Sequence, residues 1–175
     1  KADIVMRHCF VSHYDVGFDD EGRILGINFH HLSRCGMSAD LSGAINDRAM
    51  FHSDNAYFLP DVHITSERCK THTVSNTAFR GFGGPQGMFA IEYVIDEIAR
   101  ALDKDPLEVR RINYYGHNER NTTPYGQVVE DNIIDVITDH LVETSNYAVR
   151  RAQVAQWNAE HTVLKKGLAI TPVKF

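Results

Sequence analysis

The chain has 175 residues, 43% hydrophobic and 23% charged, which suits one folded domain of ordinary size or two small ones and argues against a disordered chain. A formal net charge of −5 argues against nucleic acid as a partner, because its binders carry a basic excess or stripe. No apolar run approaches the roughly 18–20 residues of a membrane span, and the start carries no secretory apolar core, so no membrane association is expected.

Cys9, Cys35 and Cys69 are odd in number, widely spaced and free of any CxxC clamp. Neither a disulfide framework nor a zinc knuckle is expected, and a reducing, cytoplasmic setting fits. The chain begins KADIVMRH and stops in GLAITPVKF, which reads as the start of a strand. Residues 1–175 are therefore expected to be one piece of a larger domain, truncated at both ends.

Residues 8–32 read as a β-hairpin. Phe10, Tyr14, Val16 and Phe18 alternate on one face with Ser12 the polar exception, DDEG turns the chain, and Leu25, Ile27 and Phe29 resume the alternation. From Asp40 to about His52 the spacing of Leu41, Ile45 and Ala49 predicts a helix. Val62, Ile64 and Ser66 alternate as a strand beyond Pro60. From Pro85 onward, Met88, Ile91, Ile95, Ile98 and Leu102 repeat at helical spacing, with proline in the first turn where its missing N–H costs nothing. Asp105-Pro-Leu-Glu108 predicts a second helix opened by a capping box. Asn118–Asp131 reads as loop, and helices are predicted over Asn132–Thr144, carrying Ile134, Ile137 and Leu141, and over Asn146–Glu160. Strands precede helices, so the fold class expected is α+β. Arg110-Arg111 and Arg150-Arg151 read as solvated, and Asp96 and Glu97 lie on a helix that needs a solvated face. His30 and His31 adjoin on a strand and face opposite ways, which does not make a metal site.

The most informative stretch is NTAFRGFGGPQG, Asn76–Gly87. Gly81, Gly83 and Gly84 permit positive φ and close approach of a ligand to backbone. They feed a helix N-terminus, which suits an anion or an oxygen ligand. Arg80 adds a guanidinium fork, and Phe79 or Phe82 a flat face. Spacing alone leaves two readings open: a site for something aromatic and oxygen-rich, or a structural turn whose phenylalanines pack inward. Arg48 stands at the edge of the Ile45–Ala49 stripe, either reaching out to water or held by a partner.

The run NTAFRGFGGPQGMFAIEYVIDEIARALDKDPLEVRRINYY resembles the molybdopterin-binding subunit or domain of the xanthine dehydrogenase family of molybdenum hydroxylases. VGFDDEGRILG, DLSGAINDRAMFHSDNAYFLP and KKGLAITPVKF are similar to that family in the same order. The resemblance implies a molybdenum cofactor (molybdopterin) contacted by Arg80 near the metal through its backbone, with Phe79 and Ala78 beside it. It implies that Phe82 stacks on a heterocyclic substrate. It also implies that Arg48 holds a purine carbonyl oxygen and stabilises negative charge on the ring. Related aldehyde oxidases generally lack an arginine there, so hypoxanthine or xanthine is favoured over an aldehyde as substrate. The further implications are 2Fe-2S clusters and FAD in a partner subunit or domain, NAD as electron acceptor, and an oligomeric whole. The general-base glutamate lies downstream of this chain in the family, so the fragment alone is expected to be inactive. The alternatives within the resemblance are a hydroxylase of an aldehyde or another N-heterocycle, or a catalytically silent assembly paralogue.

Overall fold

The computed structural model describes residues 7–175; the opening KADIVM, read above as a truncated start, lies outside them. The hairpin forms from β1 (Phe10–Phe18) and β2 (Ile24–Gly36), antiparallel across a turn in which Asp19 accepts the amides of Glu21 and Arg23. Next come α1 (Ser42–Phe51) and β3 (Val62–Lys70), which runs parallel to β2 and completes a sheet ordered β1-β2-β3. A parallel partner requires a crossover, and α1 supplies it. The rest is helical: α2 (Gly84–Ala101), α3 (Pro106–Asn113), α4 (Ile134–Thr144) and α5 (Tyr147–Glu160). The α+β arrangement is as expected.

Registers align Val16 with Ile27 and Val62, and Tyr14 with Phe29 and Ile64, so one sheet face is apolar at this end. α2 covers it with Ile91, Val94, Ile95 and Ile98, all fully buried. Each such side chain stabilises the fold by roughly 1.5–3 kcal/mol. The other end of the same face is polar. Ser12, the exception in β1, lies opposite His31, and His31 lies opposite Ser66. His31 Nδ1 meets Ser12 Oγ at 2.8 Å and its Nε2 meets Ser53 Oγ at 3.0 Å. Ser53 spends its own hydrogen on the Ala49 carbonyl, so Nε2 carries the imidazole proton and Nδ1 accepts from Ser12. Ser66 donates to Asn46 Oδ1 at 2.6 Å, tying α1 to β3.

Several expectations need correcting. Leu25 is 55% exposed while Ile24 is 1% exposed, because the register shifts between Gly17 and Phe18. Phe18 pairs with Ile24, leaving Leu25 as the extra residue of a β-bulge that turns its side chain outward. Arg110 is not solvated: it is 2% exposed and donates to Glu92 Oε2 at 2.8 Å and Asp96 Oδ1 at 2.9 Å. Burial works against its charge, and the oxygens of Tyr57, Glu92 and Asp96 outweigh that, holding the guanidinium above its ordinary range. Arg151 is half-buried and paired with Asp105 at 2.9 Å, whereas Arg150 is exposed. Asp105 caps α3 through the Leu107 amide, but Glu108 stays exposed, so only the aspartate half of the box forms. On α4, Ile134 packs on the core while Ile137 and Leu141 remain exposed. Residues 167–175 form no strand: Asn55 holds their backbone with its side chain, and Pro172 has no N–H for a ladder.

Burial, with a smaller push from His30, lowers the His31 pKa to about 4. The unfolded chain then binds a proton below about pH 6.5 that the folded chain refuses, so stability rises with pH between these values. Acidification from pH 6.5 to 4 should cost on the order of 3 kcal/mol at this residue. Denaturant melts across that window should lose the corresponding part of their slope in His31→Asn.

Candidate functional site

Between β3 and α2 the chain runs through the Asn76–Gly84 loop. Asn76 anchors it, donating its amide to the Cys35 carbonyl at 2.9 Å and its side chain to the Arg7 carbonyl at 2.8 Å. Three successive residues then take left-handed backbone: Gly81 at φ 94°, Phe82 at φ 49° and Gly83 at φ 100°. Glycine visits this region freely, but a phenylalanine pays about 1–2 kcal/mol for it. Two turn bonds hold the conformation, Phe82 N–H to the Phe79 carbonyl at 2.8 Å and Gly84 N–H to the Gly81 carbonyl at 2.9 Å.

Where the loop becomes α2 it presses on α1. A Cβ added at Gly83 would stand 2.0 Å from the Ile45 carbonyl oxygen, and one at Gly87 would stand 2.1 Å from that of Ala49. These glycines are four residues apart on one helical face, so bare backbone meets bare backbone. The stretch of α1 that carries Arg48 is thereby joined to the loop that carries Phe82.

Arg48 is half-buried. Its Nε is enclosed and has no hydrogen-bond partner among the described residues. Its guanidinium carbon lies 4.9 Å from the centroid of the Phe175 ring, and His52 stands on the same ring at 5.7 Å. A cavity of about 320 Å³ opens beside them, with His52, Tyr125, Glu130, Lys174 and Phe175 in its wall. A second groove, about 470 Å³, lies between β1 and the start of α2, with Arg7, Gln86, Phe89 and Tyr93 along it.

Of the residues singled out in the sequence, Ala78, Phe79, Arg80 and Phe82 share the loop, and Arg48 joins them through the helix contact. Ala78 and Phe82 are half-buried, and Phe82 makes no aromatic pair among the described residues. Phe79 is 50% exposed with the Arg7 guanidinium 4.6 Å over its ring. The Arg80 side chain is exposed, and its carbonyl accepts from Arg7 at 2.7 Å. Missed from the sequence were Gln86, Asp54 and Asn55. Gln86 had a signal in its position two residues past the last loop glycine; Asp54 and Asn55 had none.

Asn76 Oδ1 and Gln86 Oε1 are enclosed and, like Arg48 Nε, lack partners among the described residues. Two enclosed acceptors, on the loop and at the start of α2, and one enclosed donor on α1 are left for a heteroatom-rich group, and their chemistry suits a pterin cofactor. The fold and this loop therefore define a cofactor-binding domain of the α+β class.

Comparison with known proteins gives the family. Residues 4–114 match the molybdopterin cofactor-binding domain family, and the chain belongs to it. It is 41% identical over 169 residues to xanthine dehydrogenase of Drosophila subobscura, and 43% identical over 169 residues to xanthine dehydrogenase/oxidase of Mus musculus. Each match covers 97% of this chain and 12% of the relative, so the chain spans about one eighth of the length of these curated relatives. The structure of aldehyde oxidoreductase from Desulfovibrio gigas superimposes with a TM-score of 0.77 at 27% identity, covering 90% of this chain and 16% of that one.

The glycine contact makes a sharp prediction. Gly83→Ala should abolish stable cofactor loading, because the methyl meets backbone that cannot move aside. Gly17→Ala, where nothing lies within 4 Å of the added Cβ, should load normally. Molybdenum content of the two purified whole-enzyme variants checks it.

Proposed function

We propose that this chain forms part of the cofactor and substrate site of a xanthine dehydrogenase-like molybdenum hydroxylase that oxidises hypoxanthine and xanthine to urate. The observation that carries the reading is Phe82, a bulky side chain kept in left-handed backbone between two glycines. Strain of this kind persists where the surroundings over-determine it, and it concentrates at functional sites.

In this reading Phe82 stacks on the purine and sets its plane. Arg48 donates to a ring carbonyl oxygen and stabilises the negative charge that grows there during attack. A donor already fixed in an enclosed site needs no reorganisation at that moment, which is why its loss is costly. Arg80, with Phe79 and Ala78, would contact the cofactor at the loop, and Gln86 and Asn76 offer it free acceptor atoms. The molybdenum cofactor, when bound, supplies the centre that hydroxylates the ring carbon and takes up two electrons. We place 2Fe-2S clusters, FAD and NAD in the onward electron path, in portions of the enzyme outside this chain, and the general base outside it as well. The three free thiols agree with a cytoplasmic enzyme.

A second reading, an aldehyde substrate, is favoured by the likeness to the Desulfovibrio aldehyde oxidoreductase. Arg48 separates the two. In the whole enzyme with its cofactors, Arg48→Met should lower kcat/KM for hypoxanthine by about 10²–10³-fold, the usual effect of removing one such donor. Turnover of an aromatic aldehyde should fall far less. Equal losses on both substrates would sink the purine assignment.

Phe82→Ala addresses the stacking role separately. Heterocycle kcat/KM should drop about tenfold, in line with a lost aromatic pair, with molybdenum content unchanged. Loss of the metal would make Phe82 structural instead.

A further inference from the structure

The turn after α1 holds a device that the purine reading does not use. Asn55 is buried, sits at φ 43° in the left-handed region that asparagine tolerates, and employs every polar atom of its side chain. Nδ2 donates to the Pro172 carbonyl at 3.0 Å and to Glu92 Oε1 at 2.9 Å. Oδ1 accepts the Lys174 amide at 3.2 Å. The side-chain amide thus grips the backbone of residues 172 and 174 as a neighbouring strand would. Next to it, buried Asp54 accepts Lys174 Nζ at 2.6 Å and the Tyr115 hydroxyl at 2.5 Å.

The residue that follows this double grip is Phe175, whose ring stands 4.9 Å from the Arg48 guanidinium. Among the described residues the ring also meets His52 at 5.7 Å. Asn55 and Asp54 hold residues 172 and 174 and so govern where the chain delivers this ring to Arg48. Arg48, in turn, has an enclosed Nε with no partner among the described residues, and the face of Phe175 is its cation–aromatic contact.

We infer that Asn55 is a positioning residue for Arg48, acting through the 172–174 backbone and the Phe175 ring, with the Asp54–Lys174 pair as its support. This rests on the proposed role of Arg48 toward a purine. Loosening the grip lets the guanidinium wander, which removes a directed donor without touching the cofactor loop.

The test uses the whole enzyme with its cofactors, in the variants Asn55→Ala, Lys174→Gln and Arg48→Met, alone and with each of the first two combined with the third. Asn55→Ala should lower hypoxanthine kcat/KM about tenfold, the scale of a lost cation–aromatic contact and its ordering. Aromatic aldehyde kcat/KM should fall less than threefold, with molybdenum content unchanged. Lys174→Gln should do the same to a smaller degree, and it serves if Asn55→Ala fails to fold. Neither change should add to the purine loss once Arg48 is methionine, because the residue they act through is gone. A readout independent of turnover is amide exchange: the Lys174 amide should exchange faster in Asn55→Ala while α2 stays protected.

The outcomes separate the inference from its premise. If Arg48→Met shows no purine-selective loss, the purine reading fails. If Arg48→Met is selective but Asn55→Ala or Lys174→Gln lowers both substrates equally, or adds fully to the loss in Arg48→Met, the positioning role is overturned. Unchanged exchange at Lys174 overturns it as well.

Discussion

Two glycines resting on the carbonyl oxygens of α1 decide where the rest of the molecule lies. At Gly83 and Gly87 there is no side chain between the helices, so their separation is set by backbone atoms alone. Side-chain interfaces can absorb a methylene by repacking, but this one has nothing to repack. Because α2 also carries Ile91, Val94, Ile95 and Ile98 onto the sheet, the contact passes the rigidity of the core to the loop that precedes it. The strained Phe82 is affordable for that reason: its neighbours on both sides are fixed before its own preference is consulted.

α1 is held to the sheet by a different kind of force. Its inner face presents Ile45 and Ala49 but also Ser42 and Asn46, with Asn46 bonded to Ser66 of β3, while His31 of β2 meets Ser53 just past the helix. Hydrogen bonds from Ser53 to the Ala49 carbonyl and from His31 to Ser53 run through this seam. Apolar contact would tolerate a slide of the helix along the sheet, whereas directional bonds to buried groups do not, since each broken one strands a polar atom. A polar seam costs burial energy and returns a single position for Arg48.

These two devices explain what could be read from the sequence. α2 and the hairpin were legible because their apolar residues repeat at one period and face one core. The loop was legible as a turn, because its glycines are required by positive φ, but its grip on α1 was not, because no pattern tells which carbonyl a glycine will meet. Leu25 misled because a bulge changes the phase of a strand without changing its composition. Arg110 misled because two adjacent arginines have the composition of a solvated face. It lies on the stripe of Leu107 and Asn113, and Glu92 and Asp96 stand four apart on α2, which together mark a buried pair. Arg48 gained a role from family resemblance alone; on spacing it was an edge residue.

The buried charge and the site are one structure. Glu92 accepts from the Tyr57 hydroxyl at 2.5 Å and from Asn55 on one oxygen, and from Arg110 on the other. That acceptor-only role belongs to a carboxylate, and Arg110 balances its charge. Three donors from the α1–β3 connection and α3 thus converge on one side chain of α2. Removing Asn55 or Tyr57 takes one donor from Glu92 and leaves the Arg110 pair in place, whereas removing Arg110 would strand an enclosed carboxylate. Asn55 is bonded to Glu92, and Glu92 in turn to Arg110. The residue that grips the chain at 172–174 is therefore tied to the most deeply buried ion pair among the described residues, and the site inherits its rigidity from the core on both sides of α2.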